Sequence, residues 1–279
     1  MSSIQVLTIA GSDSGGGAGI QADIKTFQEL GVFGTSAITA VTAQNTLGVH
    51  AIYPMDAEAV RAQLDAIGSD FSITAVKTGM LFNKEIIEET AKGIRKYRWT
   101  NLVIDPVMIA KGGASLLQQE AVDAVKEHLL PLASVVTPNI PEAEAISGME
   151  IRTIEDRERA AREIMSFGAG AIIIKGGHGS DPEFTEDYFL DRSGESSIFR
   201  SRRIDTQQSH GTGCTFAAAI AAELGKGESM KASIYTAKSF IQAALCTPLN
   251  IGAGHGPTNH AAYRRGLRSE NEVNKIEVF

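Results

Sequence analysis

Short apolar runs alternate along most of the chain with longer segments in which apolar residues recur at helical spacing. The apolar runs predict strands at residues 5–10, 33–43, 75–78, 102–105, 135–137 and 171–175. The periodic segments predict helices over residues 20–30, 56–67, 83–97, 153–167, 213–224 and 229–246, with another beginning near Pro141. Because no charged or proline-rich linker interrupts this alternation, it indicates one α/β domain with a mainly parallel sheet.

The alternation breaks down in the last third of the chain. Residues 187–191 and 197–203 flank the polar stretch 192–195, a pattern that predicts a hairpin. From about residue 264 the sequence becomes polar and irregular. We therefore expect a single domain over residues 1–279 that ends in a tail or a surface-docked segment.

Charge and composition narrow the classes of partner. A formal net charge of −7 disfavours nucleic acid and anionic membranes as partners. No apolar run approaches the roughly 18 residues of a membrane-spanning helix, and the first residues do not resemble a signal peptide. With Cys214 and Cys246 as the only cysteines, we expect a reduced, cytoplasmic protein.

The stretch around Gly211 and Gly213 is the first candidate site. It opens a predicted helix, where outward backbone N–H groups and the helix dipole form a cradle for an anion. Cys214 falls in the first turn, where the same field lowers the pKa of a thiol. The alternative is that Cys214 is only a small buried apolar residue.

Other candidates follow predicted strands, at the positions where open α/β sheets bind ligands. They include Lys77, Asp105 and Lys175. Asn139 and Glu142, three residues apart at a helix start, can face one hydrated Mg²⁺. The same pair also suits plain helix capping, and the sequence leaves both interpretations open.

Two further stretches each permit two interpretations. Residues 17–22 match a G-x-G-x-x-A pattern, but no acid occurs between Glu29 and Asp56 to bind a ribose, which disfavours a nicotinamide site. These glycines either form a tight turn or allow the backbone to lie close to a ligand. Gln44 presents a donor beside an acceptor, which matches an aminopyrimidine edge, but it can also stabilise a turn.

Together these stretches resemble the ribokinase superfamily, and specifically the hydroxymethylpyrimidine/phosphomethylpyrimidine kinases of thiamine biosynthesis. The resembling segments, in family order, are residues 10–23, 42–46, 77–80, 104–108, 137–143, 175–178 and 210–215. The resemblance implies a three-layer α/β/α fold, ATP as co-substrate and Mg²⁺ as cofactor. It also implies phosphorylation of a pyrimidine alcohol and then of its monophosphate, and a homodimer, which is common in the family.

The resemblance also assigns roles to individual positions. It implies that catalysis depends on Gly211, Thr212, Gly213 and Cys214. It implies that the pyrimidine contacts Gln44, Gly11, Asp23, Met80 and Val107. Lys175, Thr206 and Lys238 are implied near the nucleotide, and Asn139 with Glu142 at the metal. Most of the superfamily has an aspartate base at position 214, so Cys214 argues against a strong general base.

Three other functions stay open from the sequence. Pyridoxal kinase activity, alone or beside the pyrimidine activity, fits the same scaffold. A thiol hydrolase would use Cys214 and His210 but would leave Asn139 and Glu142 without roles. A pyrimidine sensor without catalysis would not need the glycines at 211 and 213.

Overall fold

A computed structural model describes residues 3–108, 119–179, 181–266 and 276–279. The strands in this part of the chain are β1 (Gln5–Asp13), β2 (Phe33–Asn45), β3 (Gly48–Pro54), β4 (Ile73–Thr78), β5 (Leu102–Ile104), β6 (Val135–Val136), β7 (Ala171–Ile174), β8 (Phe184–Asp191), β9 (Ser196–Arg202) and β10 (Glu277–Val278). The α-helices are α1 (Gly19–Glu29), α2 (Ala57–Gly68), α3 (Lys84–Tyr97), α4 (Gln119–Ala124), α5 (Ile140–Ser147), α6 (Ile154–Ser166), α7 (Thr212–Lys226), α8 (Met230–Cys246) and α9 (Ala262–Gly266). None of these helices is both long and apolar enough to cross a membrane.

All the described strands belong to one sheet, in the order β10-β9-β8-β7-β6-β5-β4-β1-β2-β3. The pairs from β2 through β1, β4, β5 and β6 to β7 are parallel. The outer pairs are antiparallel, including the β8–β9 hairpin that the sequence predicted. The prediction of a mainly parallel central sheet is confirmed.

Alternating side chains of the central strands enter two separate cores. Leu7 and Val76 face one core, whereas Val6 and Ala75 face the other. Helices α2 to α6 cover the first face, and α1, α7 and α8 cover the second. The sheet is thus buried on both sides, which confirms the three-layer α/β/α fold.

Side chains cap three helices at the residues where the sequence predicted those helices to begin. The carboxylate of Asp56 accepts from Ala59 N at 2.6 Å, and the Asn83 amide oxygen accepts from Ile86 N at 3.0 Å. Thr153 forms a capping box with Asp156 at the start of α6. At α5 the structure differs, because Ile140 is the first helical residue and Pro141 the second. Proline is tolerated there because the first-turn N–H groups have no intrahelical partner.

Sequence periodicity missed four features of the described residues. Strand β3 pairs antiparallel with β2, and β1 continues past Ala10 to Asp13. Helical turns run over residues 119–132 where no helix was predicted. The predicted tail falls partly on residues 267–275, outside the described residues, and β10 after it pairs with β9 at the sheet edge.

Candidate active site

A cavity of about 610 Å³ lies at the edge of the sheet where the parallel strands end. The carboxyl ends of parallel strands lie on one edge, so the residues that follow them meet there. The polar side chains that line the cavity include Asp13, Gln44, Asp105, Asn139, Glu142 and Lys175. Its apolar lining includes Val49, Met80, Val107 and Met108, beside the backbone of Gly11. The structure thus brings together residues that the sequence placed at separate strand ends.

The start of α7 forms one wall of this cavity. Gly211 is the N-cap with φ of 85°, and a β-carbon there would collide with the carbonyl oxygen of Gly17. No side chain caps α7, and the first-turn N–H groups of a helix have no partner within it. Thr212, Gly213 and Cys214 line the cavity beside Gly211. The helix therefore presents backbone donors and the positive end of its dipole to an anion in the cavity.

Lys175 lies next to the start of α7 and is bound to an acid. Its Nζ is 2.9 Å from Asp105 Oδ1, and a β-carbon on Gly213 would lie 3.3 Å from the same Nζ. Burial alone would lower the pKa of Lys175, but Asp105 and Glu142 raise it overall. Lys175 therefore contributes a lasting positive charge beside the anion cradle.

Asn139 and Glu142 form a reciprocal capping box at the start of α5. Asn139 N donates to Glu142 Oε2 at 2.8 Å, and Glu142 N donates to Asn139 Oδ1 at 2.9 Å. Asn139 and Glu142 therefore cap α5, which was one of the two interpretations that the sequence left open. Capping does not remove the pair from the site, because both residues also line the cavity.

The corner of the cavity lined by Asp105, Asn139 and Glu142, here called the acidic corner, offers oxygen ligands of the kind that Mg²⁺ prefers. Burial raises the pKa of the Glu142 carboxyl to about 7, an effect that Lys175 opposes and Asp105 reinforces. Mg²⁺ commonly takes one or two carboxylates and completes its shell with phosphates and water. The Glu142 and Asp105 carboxylates fit such a partial set. Within the described ranges no three His, Cys, Asp or Glu residues are grouped so as to hold a metal.

The environment of Cys214 differs from the sequence expectation. Burial raises the pKa of its thiol to about 11, although the nearby Lys77 ammonium acts in the opposite direction. The field of the helix start is thus outweighed by the loss of solvent. A thiol with this pKa stays protonated at neutral pH, which disfavours both a base and a hydrolase nucleophile at this position.

Gln44 is held from three sides at the end of β2. Its backbone N–H donates to Ser14 Oγ at 2.8 Å, and Ser14 Oγ donates to the Gln44 carbonyl at 2.7 Å. One end of its side-chain amide lies 3.2 Å from Thr42 Oγ1, and the other lies 3.2 Å from His210 Nε2. The Gln44 amide therefore lies on the cavity wall in a fixed position.

Asp13 organises the first glycine loop. Its carboxylate accepts the N–H groups of Gly15, Gly17 and Ala18 at 2.8, 3.0 and 2.9 Å. Oδ2 also lies 2.9 Å from His210 Nε2. The loop N–H groups are thus bound to a carboxylate from the chain itself, which gives a physical reason why this glycine pattern is not a dinucleotide site.

Three residues with implied ligand roles do not line the cavity. Asp23 is fully buried, with Oδ2 2.9 Å from Lys77 Nζ and 2.6 Å from Thr8 Oγ1. Lys238 is bound to Asp187 at 2.7 Å, and Thr206 Oγ1 accepts from Gln208 N. The cavity therefore brings together Gln44, Gly11, Met80 and Val107 of the implied pyrimidine residues, but not Asp23.

Sequence reasoning assigned no binding role to Asp13 or His210, which lie 197 positions apart in the chain. For Asp13 a signal was present, because an aspartate followed by glycines often accepts from the backbone just after it. For His210 no local pattern could have shown its partners. Val49 was missed together with β3, on which it lies.

The chain matches the family model described as phosphomethylpyrimidine kinase over residues 13–259. It is 57% identical over 263 residues to the hydroxymethylpyrimidine/phosphomethylpyrimidine kinase of Haemophilus influenzae, which covers 94% of this chain and 98% of that protein. It is 45% identical to the pyridoxine kinase of Bacillus subtilis, over 96% of this chain and all of that protein. Among solved structures, the pyridoxal kinase of Staphylococcus aureus in complex with AMP-PCP and pyridoxal superposes with a TM-score of 0.88 at 36% identity, over 100% of this chain and 98% of that one.

Proposed function

The chain belongs to the phosphomethylpyrimidine kinase family, whose members are phosphotransferases, and from this membership we propose that it phosphorylates 4-amino-5-hydroxymethyl-2-methylpyrimidine with ATP. It then phosphorylates the monophosphate to the diphosphate, as a kinase of thiamine biosynthesis. The observation that carries the proposal is one cavity with an amide fork, Gln44, on its wall and a glycine-rich helix start, Gly211 to Cys214, on another. A heteroaromatic ring and a phosphoryl group can thus be held at the same time.

The two ends of this cavity bind different parts of the reactants, the pyrimidine ring at one end and the transferred phosphoryl group at the other. The Gln44 fork pairs with the amino group and ring nitrogen of the pyrimidine. The N–H groups at Gly211 to Gly213 and the Lys175 ammonium stabilise the charge on the transferred phosphoryl group. Because the transition state of phosphoryl transfer is loose, positioning and charge neutralisation carry most of the catalysis.

Glu142 and Asn139, with Asp105 close by, are the residues that would hold Mg²⁺, which neutralises phosphate charge when bound. We place the rest of the nucleotide beyond the cavity, toward Lys238 and Thr206, with Lys175 at its phosphates. Lys238 is anchored there by Asp187, which also accepts from Gly176 N at 2.8 Å. This anchoring keeps the turn after β7 in place beside the nucleotide.

Product analysis tests the proposal directly. The purified protein is incubated with ATP, Mg²⁺ and either the pyrimidine alcohol or its monophosphate, and products are separated by chromatography with mass detection. We expect monophosphate and diphosphate from the alcohol, and diphosphate alone from the monophosphate. Gln44→Leu should lower kcat/KM for the alcohol by about tenfold or more, because it leaves the polar edge of the pyrimidine unpaired. Gln28→Leu, on the exposed face of α1, is the matched control.

A second activity, on pyridoxal, is favoured by the 45% identity to a pyridoxine kinase and by the structural match to a pyridoxal kinase. Pyridoxal is also a flat hydroxymethyl heteroaromatic, but it lacks an amino group beside a ring nitrogen. The same assay with pyridoxal measures this activity. Gln44→Leu should affect it much less. ATP turnover with pyridoxal and none with either pyrimidine would replace the first proposal with this one.

A further inference from the structure

The side-chain amide of Gln44 lies between two groups whose hydrogen-bonding roles can be worked out. In the structure its nitrogen end is 3.2 Å from His210 Nε2 and its oxygen end is 3.2 Å from Thr42 Oγ1. The two ends of an amide have almost the same shape, so only their partners decide which end is oxygen. Both partners here argue for the opposite orientation.

The His210 side is decided by Asp13. Hydrogen bonds from His210 and from the backbone lower the pKa of Asp13 despite its burial, so it is a carboxylate and only accepts. His210 Nε2, 2.9 Å from Asp13 Oδ2, must therefore carry a hydrogen. An amide nitrogen placed 3.2 Å from this N–H would set two donors against each other. The protonated Nε2 has no lone pair and cannot accept, so its one hydrogen is shared between Asp13 Oδ2 and the Gln44 atom that faces it, and that atom is the carbonyl oxygen.

The Thr42 side gives the same answer independently. Thr42 Oγ1 lies 3.0 Å from the carbonyl oxygen of Ser12, which can only accept. The single hydroxyl hydrogen of Thr42 is used in that bond. The Gln44 atom next to Thr42 must therefore donate, so it is the amide nitrogen.

We propose that His210 is a positioning residue that fixes the Gln44 amide with its oxygen toward His210 and its nitrogen toward Thr42, and thereby sets selectivity for an aminopyrimidine. Counted over these contacts, the carbonyl keeps one lone pair and the nitrogen keeps one N–H. That pair matches an exocyclic amino group beside a ring nitrogen, in one order only. The inference rests on the proposed pyrimidine substrate. Asp13 in turn holds His210 in place through the contact with its Nε2.

Ligand selectivity tests this role. Dissociation constants are measured by calorimetry for the aminopyrimidine alcohol and for the same alcohol without its amino group. We expect His210→Leu to reduce the preference for the amino compound about tenfold, because the freed amide no longer offers one fixed order. His210→Gln, which restores a donor at the same reach, should keep most of the preference. His50→Leu, at an exposed histidine of β3, is the matched control.

A double-mutant cycle separates positioning from general damage. If His210 acts through Gln44, His210→Leu should change the preference little once Gln44→Leu is present. Equal effects of His210→Leu in both backgrounds, or an unchanged preference in the single variant, would overturn the proposal. Thermal unfolding of each variant checks that the fold is retained.

The tautomer of His210, that is, which ring nitrogen carries the hydrogen, can be measured without any activity assay. Nitrogen NMR of protein labelled at histidine should show the His210 Nε2 protonated at pH 8, while an unprotonated Nε2 there would overturn the orientation. Should the wild-type protein phosphorylate no pyrimidine, the proposed function fails, whereas this spectrum still decides the orientation of Gln44.

Discussion

The Lys175 ammonium group lies 2.9 Å from the Asp105 carboxylate, and Gly213 packs so closely above it that a β-carbon there would be 3.3 Å from Nζ. This contact joins the anion cradle of α7 to the acidic corner of the cavity. A phosphoryl group bound at Gly213 would therefore meet the cation without any rearrangement of β7. The arrangement also makes position 213 sensitive to any side chain.

Gly213→Val should abolish most turnover while the fold is retained. The new side chain would lie against Lys175 and in front of the backbone donors, and loss of one such donor typically costs about 10²–10³ in kcat. Steady-state kinetics and thermal unfolding measure the two effects separately. Near-normal kcat in a folded Gly213→Val protein would contradict the role of the α7 start as an anion cradle.

Gly211→Val should behave differently, because Gly211 has φ of 85° and faces the Gly17 carbonyl. We expect this variant to lose thermal stability as well as activity, since both the backbone conformation and the contact exclude a β-carbon. A Tm equal to that of Gly213→Val would contradict the distinction.

Glu142→Gln should lower kcat and raise the Mg²⁺ concentration needed for half-maximal activity. Glutamine still completes a capping box, so the substitution removes the charge and leaves the helix start intact. Glu142→Ala should also lower the free energy of unfolding, because the bond from Asn139 N is lost. Glu163→Gln on the exposed face of α6 is the control. An unchanged Mg²⁺ titration would leave Glu142 with its capping role only.

Asp23→Asn should destabilise the protein more than it impairs substrate binding. Both side chains of the Asp23–Lys77 pair are fully buried, and removal of one partner from such a pair costs about 3–5 kcal/mol. Adding Lys77→Met should recover part of the loss, because no unpaired charge then remains. Urea unfolding of the single and double variants measures this. A raised KM with unchanged stability would support the ligand role that the family resemblance implied.

The fold was largely predictable because its signals are local. The capping box at Thr153 and the N-cap at Asp56 each depend on residues within one helical turn, so the sequence shows them directly. Strand β3 was missed because only Thr46 and Leu47 separate it from the long β2, and they are not a strong turn pair. Its register depends on pairing with β2 rather than on its own pattern.

Many residues of the cavity lining could be predicted from the sequence, but the contacts between them could not. Gln44, Lys175 and Glu142 each stood at a recognisable strand end or helix start. Which groups they bind is decided by residues far away in sequence, as with Lys175 and Asp105, which are 70 positions apart. The pKa of Cys214 shows the same limit, because burial depends on the whole fold while the helix start is visible locally.

Because His260 is buried, the free energy of unfolding should decrease as the pH falls from 6.5 to 4. The imidazole is 7% exposed and lies 3.0 Å from Thr215 Oγ1. Burial, aided by Lys25, lowers its pKa to about 4, so it stays neutral in the folded state. The unfolded chain takes up the proton below about 6.5, which favours unfolding by about 2 kcal/mol at pH 5.

Urea unfolding at pH 7.5 and pH 5 of the wild type and of His260→Gln checks this prediction. Glutamine can bond to Thr215 but does not titrate. Between pH 7.5 and pH 5 the free energy of unfolding should therefore fall by about 2 kcal/mol less in His260→Gln than in the wild type. Equal losses in the two proteins would show that His260 does not contribute to the acid sensitivity. His128→Gln, at a partly exposed histidine, controls for the loss of any imidazole.

Cys214→Ala should slow both phosphorylation steps to a similar, modest extent. The alcohol of the first step carries a proton that must leave, whereas the monophosphate of the second is mostly a dianion at pH 7. A base at position 214 would therefore affect only the first step, by about 10²–10⁴-fold. With a thiol pKa of about 11, Cys214 is protonated at neutral pH in the protein without substrate, and we do not expect it to accept that proton. Its remaining role is to pack beneath the anion cradle, which both steps use equally.

Single-turnover rates for each step, with alcohol or monophosphate supplied separately, decide between these roles for Cys214. Cys214→Ser keeps a small acceptor for the N–H of Gly19 and should be closer to the wild type than Cys214→Ala. Cys246→Ala, at the end of α8 and outside the cavity lining, is the matched control. A first step slowed a hundredfold beside an unchanged second step would restore Cys214 as the base, and would require that a bound substrate lowers the pKa of its thiol by several units.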